Sequence, residues 1–128
     1  MFLLLDPSTK DAFRLVLFTD TGVVHEQIFS RSNRDFLFCI DSFLSEKEIE
    51  KTMLRGIAVV VGTGGFTSTR IAVTIANVFG YTLKIPLLAV SSEQSVNPQT
   101  RIPLVLGQPV GQYISATYSG EPNIGRKA

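Results

Sequence analysis

The stretch "GIAVVVGTGGFTSTRIAVTIANVFG", Gly56 to Gly80, constrains the fold more than any other part of the chain. It begins with a valine-rich run, 56–62, that has no polar face, the pattern of a strand buried on both sides within a parallel sheet. Glycines at 62, 64 and 65 then mark a tight turn, and from Ser68 to Phe79 apolar residues recur at helical spacing. A strand, a glycine turn and a helix in that order lay the helix back on the sheet. On a helical wheel Ile71, Ala72, Val73, Ile75, Ala76, Val78 and Phe79 span roughly 220°, leaving Arg70, Thr74 and Asn77 as a narrow polar strip. One sheet cannot cover so wide an arc, so a second surface is expected to meet this helix.

The remaining elements are read around that core. "FLLL" at 2–5 is a short buried-strand run ended by the turn formers "DPST". "FRLVLF" at 13–18 is apolar on both faces apart from Arg14, and a "TDTG" turn leads into "VVHEQIF" at 23–29, which predicts a hairpin. In "NRDFLFCIDSFL", 33–44, Asn33 suits an N-cap, and Phe36, Leu37, Ile40, Phe43 and Leu44 form a core-facing stripe. Phe38 lies outside it, among Arg34, Asp35, Asp41 and Ser42, where it faces water unless something covers it. "SEKE" at 45–48 has capping-box spacing and predicts a brief second helix to about Met53. "YTLKIPLLAVSS" supplies a fifth strand around 87–90, with Pro86 at its start. The order predicts an α/β fold with a mixed five-stranded sheet and two main helices. Residues 93–128 read differently: a polar, turn-rich linker, one remnant strand within 111–122, no further helix, and a frayed end.

Composition excludes several functions. Twelve basic against eleven acidic residues give a net charge of +1, so no global field gathers nucleic acid or acidic lipid. "MFLLL" is too short for a signal-peptide core or a membrane span before Asp6 and Pro7 interrupt it, which predicts a soluble cytoplasmic protein with no membrane contact. The single Cys39 lies in an apolar run and reads as a small buried side chain. His25 has no Cys, second His or acidic pair at metal-ligand spacing, so no metal site is expected, and no catalytic triad is evident.

The glycine loop fails two nucleotide motifs. "GTGGFTSTR" has no lysine for a P-loop, and Thr67 stands where the dinucleotide fingerprint needs its third glycine. Two readings stay open. Backbone amides of Gly64 and Gly65, with Thr67, Ser68 and Arg70 nearby, suit an anion; equally, the loop is a strand-to-helix turn capped by Thr67 or Ser68. Asp6 closes the first strand, where some nucleotide-handling folds keep a metal-binding carboxylate, and it also suits the acceptor that starts the "DPST" turn.

Three segments carry a family resemblance. "LLLDPST" is similar to the Ile-Asp-Thr-Ser opening of the bacterial TsaB (YeaZ) proteins, "GTGGFTSTRIA" to their Gly-Pro-Gly-Ser-Phe-Thr-Gly-Leu-Arg-Ile-Gly signature, and "IPLLAVSS" to the strand that follows. Gly62, Gly64, Phe66, Thr67, Arg70 and Ile71 match the signature; Thr63, Gly65, Ser68, Thr69 and Ala72 replace its Pro, Ser, Gly, Leu and Gly. The resemblance covers residues 1–92 and implies the first lobe of an actin-like ATPase, or ribonuclease H-like, fold (the ASKHA class). Residues 93–128 are then a linker and the remnant of a reduced second lobe, either a natural short form or a truncation. It further implies a non-catalytic scaffold subunit for threonylcarbamoyl-adenosine modification of tRNA. Such a subunit pairs through its two helices with a TsaD-like catalytic subunit, works alongside a TsaE-like ATPase, meets tRNA only indirectly, and forms a homodimer when alone. The interface expected on this basis comprises Phe36, Phe38, Ile40, Arg70, Ile71, Ala72, Val73, Ile75, Ala76 and Phe79. The small Ala72 and Ala76 would admit a partner helix, so Glu at either is expected to abolish pairing and leave the fold intact. No cofactor of its own is implied, ATP and magnesium entering only with the complex. The alternatives are a nucleotide-binding or phosphotransfer module using Asp6, Thr9 and the 62–67 loop (Gly62, Gly64, Gly65 and Thr67), or a degenerate homodimer outside tRNA chemistry.

Overall fold

Strands that are apolar on both faces need cover on both sides, and the computed structural model shows how this chain supplies it. It describes residues 1–8, 12–30, 36–62 and 66–114, and only the backbone of 66–68. Five strands, β1 (Phe2–Asp6), β2 (Ala12–Thr19), β3 (Gly22–Ser30), β4 (Gly56–Val60) and β5 (Leu87–Val90), form one sheet in the order β3-β2-β1-β4-β5. β1 and β2 pair antiparallel, as do β2 and β3, whereas β4 runs parallel to both β1 and β5. The mixed five-stranded sheet, its hairpin and its parallel β4 are therefore as the sequence predicts. Crossovers carrying α1 (Phe36–Glu46) and α2 (Phe66–Leu83) link β3 to β4 and β4 to β5.

Alternation along each strand splits the core into two layers. Leu3, Leu5, Leu15, Leu17, Ile57, Val59 and Leu87 face α1 and α2, where Phe36, Cys39, Ile40, Phe43, Ala72, Ala76 and Phe79 close over them. Phe13 stacks on Phe36 with ring centroids 3.9 Å apart, and Phe29 meets Phe43 edge-on, so the hairpin is tied to α1 by aromatic pairs. The opposite set, Phe2, Leu4, Val16, Phe18, Ala58, Val60 and Val90, is covered by Ile102 and Val105 of a third helix, α3 (Ile102–Leu106).

That third helix departs from the expected linker. Residues 94–96 and 98–101 form 3-10 turns, Pro103 lies in the first turn of α3 at a position where its missing N–H costs nothing, and the segment closes the sheet's second face. The signal, Ile102 and Val105 three apart, is one turn long and too short to register as periodicity. Residues 111–114 form no strand, and the rest of the expected remnant strand lies outside the described residues, as do the frayed end, Thr9, the Asn33 cap, and Arg34 and Asp35 beside Phe38.

Two helix boundaries also differ. α1 continues to Glu46, and the chain then turns through Glu48 at φ 57°, leaving only a 3-10 turn at Lys51–Met53 of the expected second helix. α2 runs four residues past Phe79, through Gly80, where a Cβ would come within 3.0 Å of the Leu87 side chain. Glycine there lets α2 lie close on β5. Within α1, Leu37 faces outward and Cys39 takes the inward place assigned to it, a buried thiol outside any disulfide.

Candidate functional site

Two places could carry function: the end of the sheet where β1 and β4 stop, and the outward faces of α1 and α2. Parallel pairing of Leu5 with Val59 puts Asp6 beside the exit of β4, so Asp6 and Gly62 come to the same end of the sheet. Gly62 takes φ 91°, a backbone that favours glycine, as the chain leaves β4. Gly64 and Gly65 lie outside the described residues, and so does the Thr67 side chain; the anion-loop expectation rests on these positions.

Asp6 is buried and fully engaged. Its Oδ1 accepts the Ser8 amide at 2.9 Å and the Ser8 hydroxyl, the geometry of an Asx-type turn. Its Oδ2 accepts Arg14 Nη1 at 2.9 Å, while Arg14 Nε donates to Glu26 Oε2 at 2.7 Å. Burial works to lower the Arg14 pKa, but hydrogen bonds to Glu26 and Asp6, and their charges, outweigh it and raise it above its ordinary value. Of the two roles open to Asp6 in the sequence, the turn acceptor is present, and the metal carboxylate finds its donor atoms already occupied. The signal for Arg14 was its place as the one charge in an otherwise apolar strand; the partner depended on register, which sets Arg14 opposite Asp6. Among the described residues no cluster of three or more His, Cys, Asp or Glu side chains could hold a metal ion.

The expected interface residues divide sharply by burial. Phe38 is 48% exposed and Ile71 41% exposed, Arg70 faces out, and Ile75 is half-buried. Phe36, Ile40, Ala72, Val73, Ala76 and Phe79 belong to the chain's own core, so the expectation that these six form a partner surface is corrected. The wide apolar arc of α2 has a second neighbour inside the same chain: α1 and the sheet together absorb most of it. What stays outside is Ile71, Val78 and Tyr81 on α2, with Leu37 and Phe38 on α1. Both helices lie on one face of the sheet, so these residues share a side of the molecule. Beside them Thr74, Asn77, Val78, Tyr81 and Tyr113 line an open groove of about 300 Å³. Its wall is fixed by Asn77, whose amide donates to the Ile114 carbonyl at 3.1 Å and accepts the Ile114 N–H at 3.0 Å. Sequence reading placed Asn77 on the polar strip but could not find a partner 37 residues away.

Comparison with known proteins decides what kind of chain this is. The family model of the tRNA N6-adenosine threonylcarbamoyltransferases (TsaD) matches residues 16–119. The chain belongs to that family. Among solved structures, YeaZ from Pseudomonas aeruginosa is 29% identical with a TM-score of 0.59, over 70% of this chain and 43% of that one. A protein described by its similarity to peptidase YEAZ from Pseudomonas aeruginosa is also 29% identical, with a TM-score of 0.58, over 70% of this chain and 42% of the other. No curated protein matches. Family and neighbours together give the sheet its class, an ASKHA or ribonuclease H-like fold, and support the TsaB-like resemblance. The chain spans less than half the length of these solved relatives. No helix among the described residues is long and apolar enough to cross a membrane.

Proposed function

We propose that this chain is a non-catalytic partner subunit in the threonylcarbamoyl-adenosine modification of tRNA, docking on a related TsaD-like catalytic subunit through the outward faces of α1 and α2. The observation that carries the reading is the group of exposed apolar side chains that those faces share: Phe38 at 48%, Val78 at 54% and Tyr81 at 67%, with Leu37 and Ile71 beside them. Large apolar side chains grouped on one side of a small domain mark a contact surface. Membership of the tRNA N6-adenosine threonylcarbamoyltransferase family supplies the chemistry in which such a contact would serve. On this reading the protein works in the cytoplasm, a TsaE-like ATPase completes the assembly, tRNA is met only through the complex, and the same faces pair two copies when no partner is present. The chain brings no cofactor of its own.

Light scattering of the purified chain, alone and mixed with the catalytic subunit from the same organism, tests this. A new one-to-one species is expected on mixing. Persistence of two separate species at concentrations well above those in the cell would overturn the proposal.

A further inference from the structure

We infer that Arg14 stands in for a divalent cation at Asp6, so that the strand-end carboxylate, a metal position in some nucleotide-handling folds, takes no metal ion in this chain while Arg14 is present. The inference rests on occupied donor atoms and does not depend on partner docking.

Both oxygens of Asp6 are committed, one to the amide and hydroxyl of Ser8 and the other to Arg14 Nη1. Magnesium demands near-octahedral oxygen ligands and gives up its water reluctantly, so a carboxylate with both oxygens already accepting hydrogen bonds, one of them from a cation, offers it little. The arginine is also held in place. Sheet register sets it directly across from Asp6, and Glu26 of β3 holds its Nε at 2.7 Å, so the guanidinium spans three strands. Swinging aside would break contacts at both ends and leave Asp6, whose side chain is 6% exposed, without its counter-charge. Finally, guanidinium is charged at every accessible pH. A divalent ion bound to Asp6 would sit within a few ångströms of that charge, at a site where little water enters to screen the repulsion. One internal cation therefore supplies electrostatically what a bound ion at Asp6 would supply, without offering a position for phosphate oxygens to coordinate.

Amide NMR spectra of the full chain titrated with Mn²⁺ test the inference, because the ion erases signals from nuclei close to it. In the wild type the Ser8 amide, which bonds to Asp6, keeps its signal at equimolar Mn²⁺. In Arg14→Gln, which leaves Asp6 and Glu26 without the cation they share, the Ser8 signal is lost at the same ratio, and it returns when Asp6→Asn is added. Loss of the Ser8 signal in the wild type overturns the inference. So does an Arg14→Gln protein that is folded by its amide spectrum and yet unaffected by Mn²⁺, or one whose signal loss survives Asp6→Asn. If the buried Asp6, left without its counter-charge, prevents that variant from folding, the wild-type titration decides on its own.

Discussion

Glu48 and Lys84 adopt left-handed backbone, at φ 57° and 58°, just beyond the ends of α1 and α2. In each case the following amide reaches back to a carbonyl five residues earlier, Ile49 to Leu44 and Ile85 to Gly80, closing the helix with the six-to-one bond of a Schellman motif. Glycine usually fills that place, since a Cβ there costs roughly 1–2 kcal/mol. Glu48 is exposed, so Glu48→Gly is expected to stabilise the fold. Part of the gain is offset by the greater freedom of glycine in the unfolded chain, leaving about 0.5–1 kcal/mol. A lower denaturant midpoint for Glu48→Gly than for the wild type would refute this. The same residue explains why the capping-box spacing at 45–48 misled: its side-chain pattern suited a helix start, while the backbone was being used to end the helix before it.

At the scale of elements, α2 shows how an apolar arc can be read correctly and assigned to the wrong neighbour. Its inward residues Ala72 and Ala76 have no exposed surface, and both lie under α1 and the sheet. Ala76→Glu is therefore expected to unfold the chain rather than merely block pairing, because an unpaired carboxylate left in a core costs about 3–5 kcal/mol, a large share of the roughly 5–15 kcal/mol that holds a domain together. Phe38→Asp, on the exposed face of α1, is expected to shift stability by no more than about 0.5 kcal/mol while abolishing the one-to-one species. Thermal unfolding and light scattering on the two variants separate these outcomes. A folded Ala76→Glu protein that fails only in pairing would restore the original assignment of Ala76 to the interface.

For the whole molecule, the sheet has two faces and the chain covers both, the second with Ile102 and Val105. Ending the chain after Ser92 removes that cover, and burial of two such side chains contributes roughly 3–6 kcal/mol. The shortened protein should unfold at lower denaturant and bind a hydrophobic dye through Phe2, Leu4, Val16 and Phe18; equal stability without dye binding would show that residues 1–92 form an independent unit. Much of the rest was legible in advance. Strands that are apolar on both faces, the glycine turn after Val60, and helical spacing in 36–44 and 68–79 set the elements and the mixed sheet, because alternation and the 3.6-residue period are local properties written directly in residue order. Tertiary structure decided which apolar residues became core and which stayed outside, that Arg14 neutralises Asp6, that Asn77 holds Ile114, and that a single turn at 102–106 closes the second face. Each depends on register or on contacts between distant segments, and those arise only once the sheet has assembled.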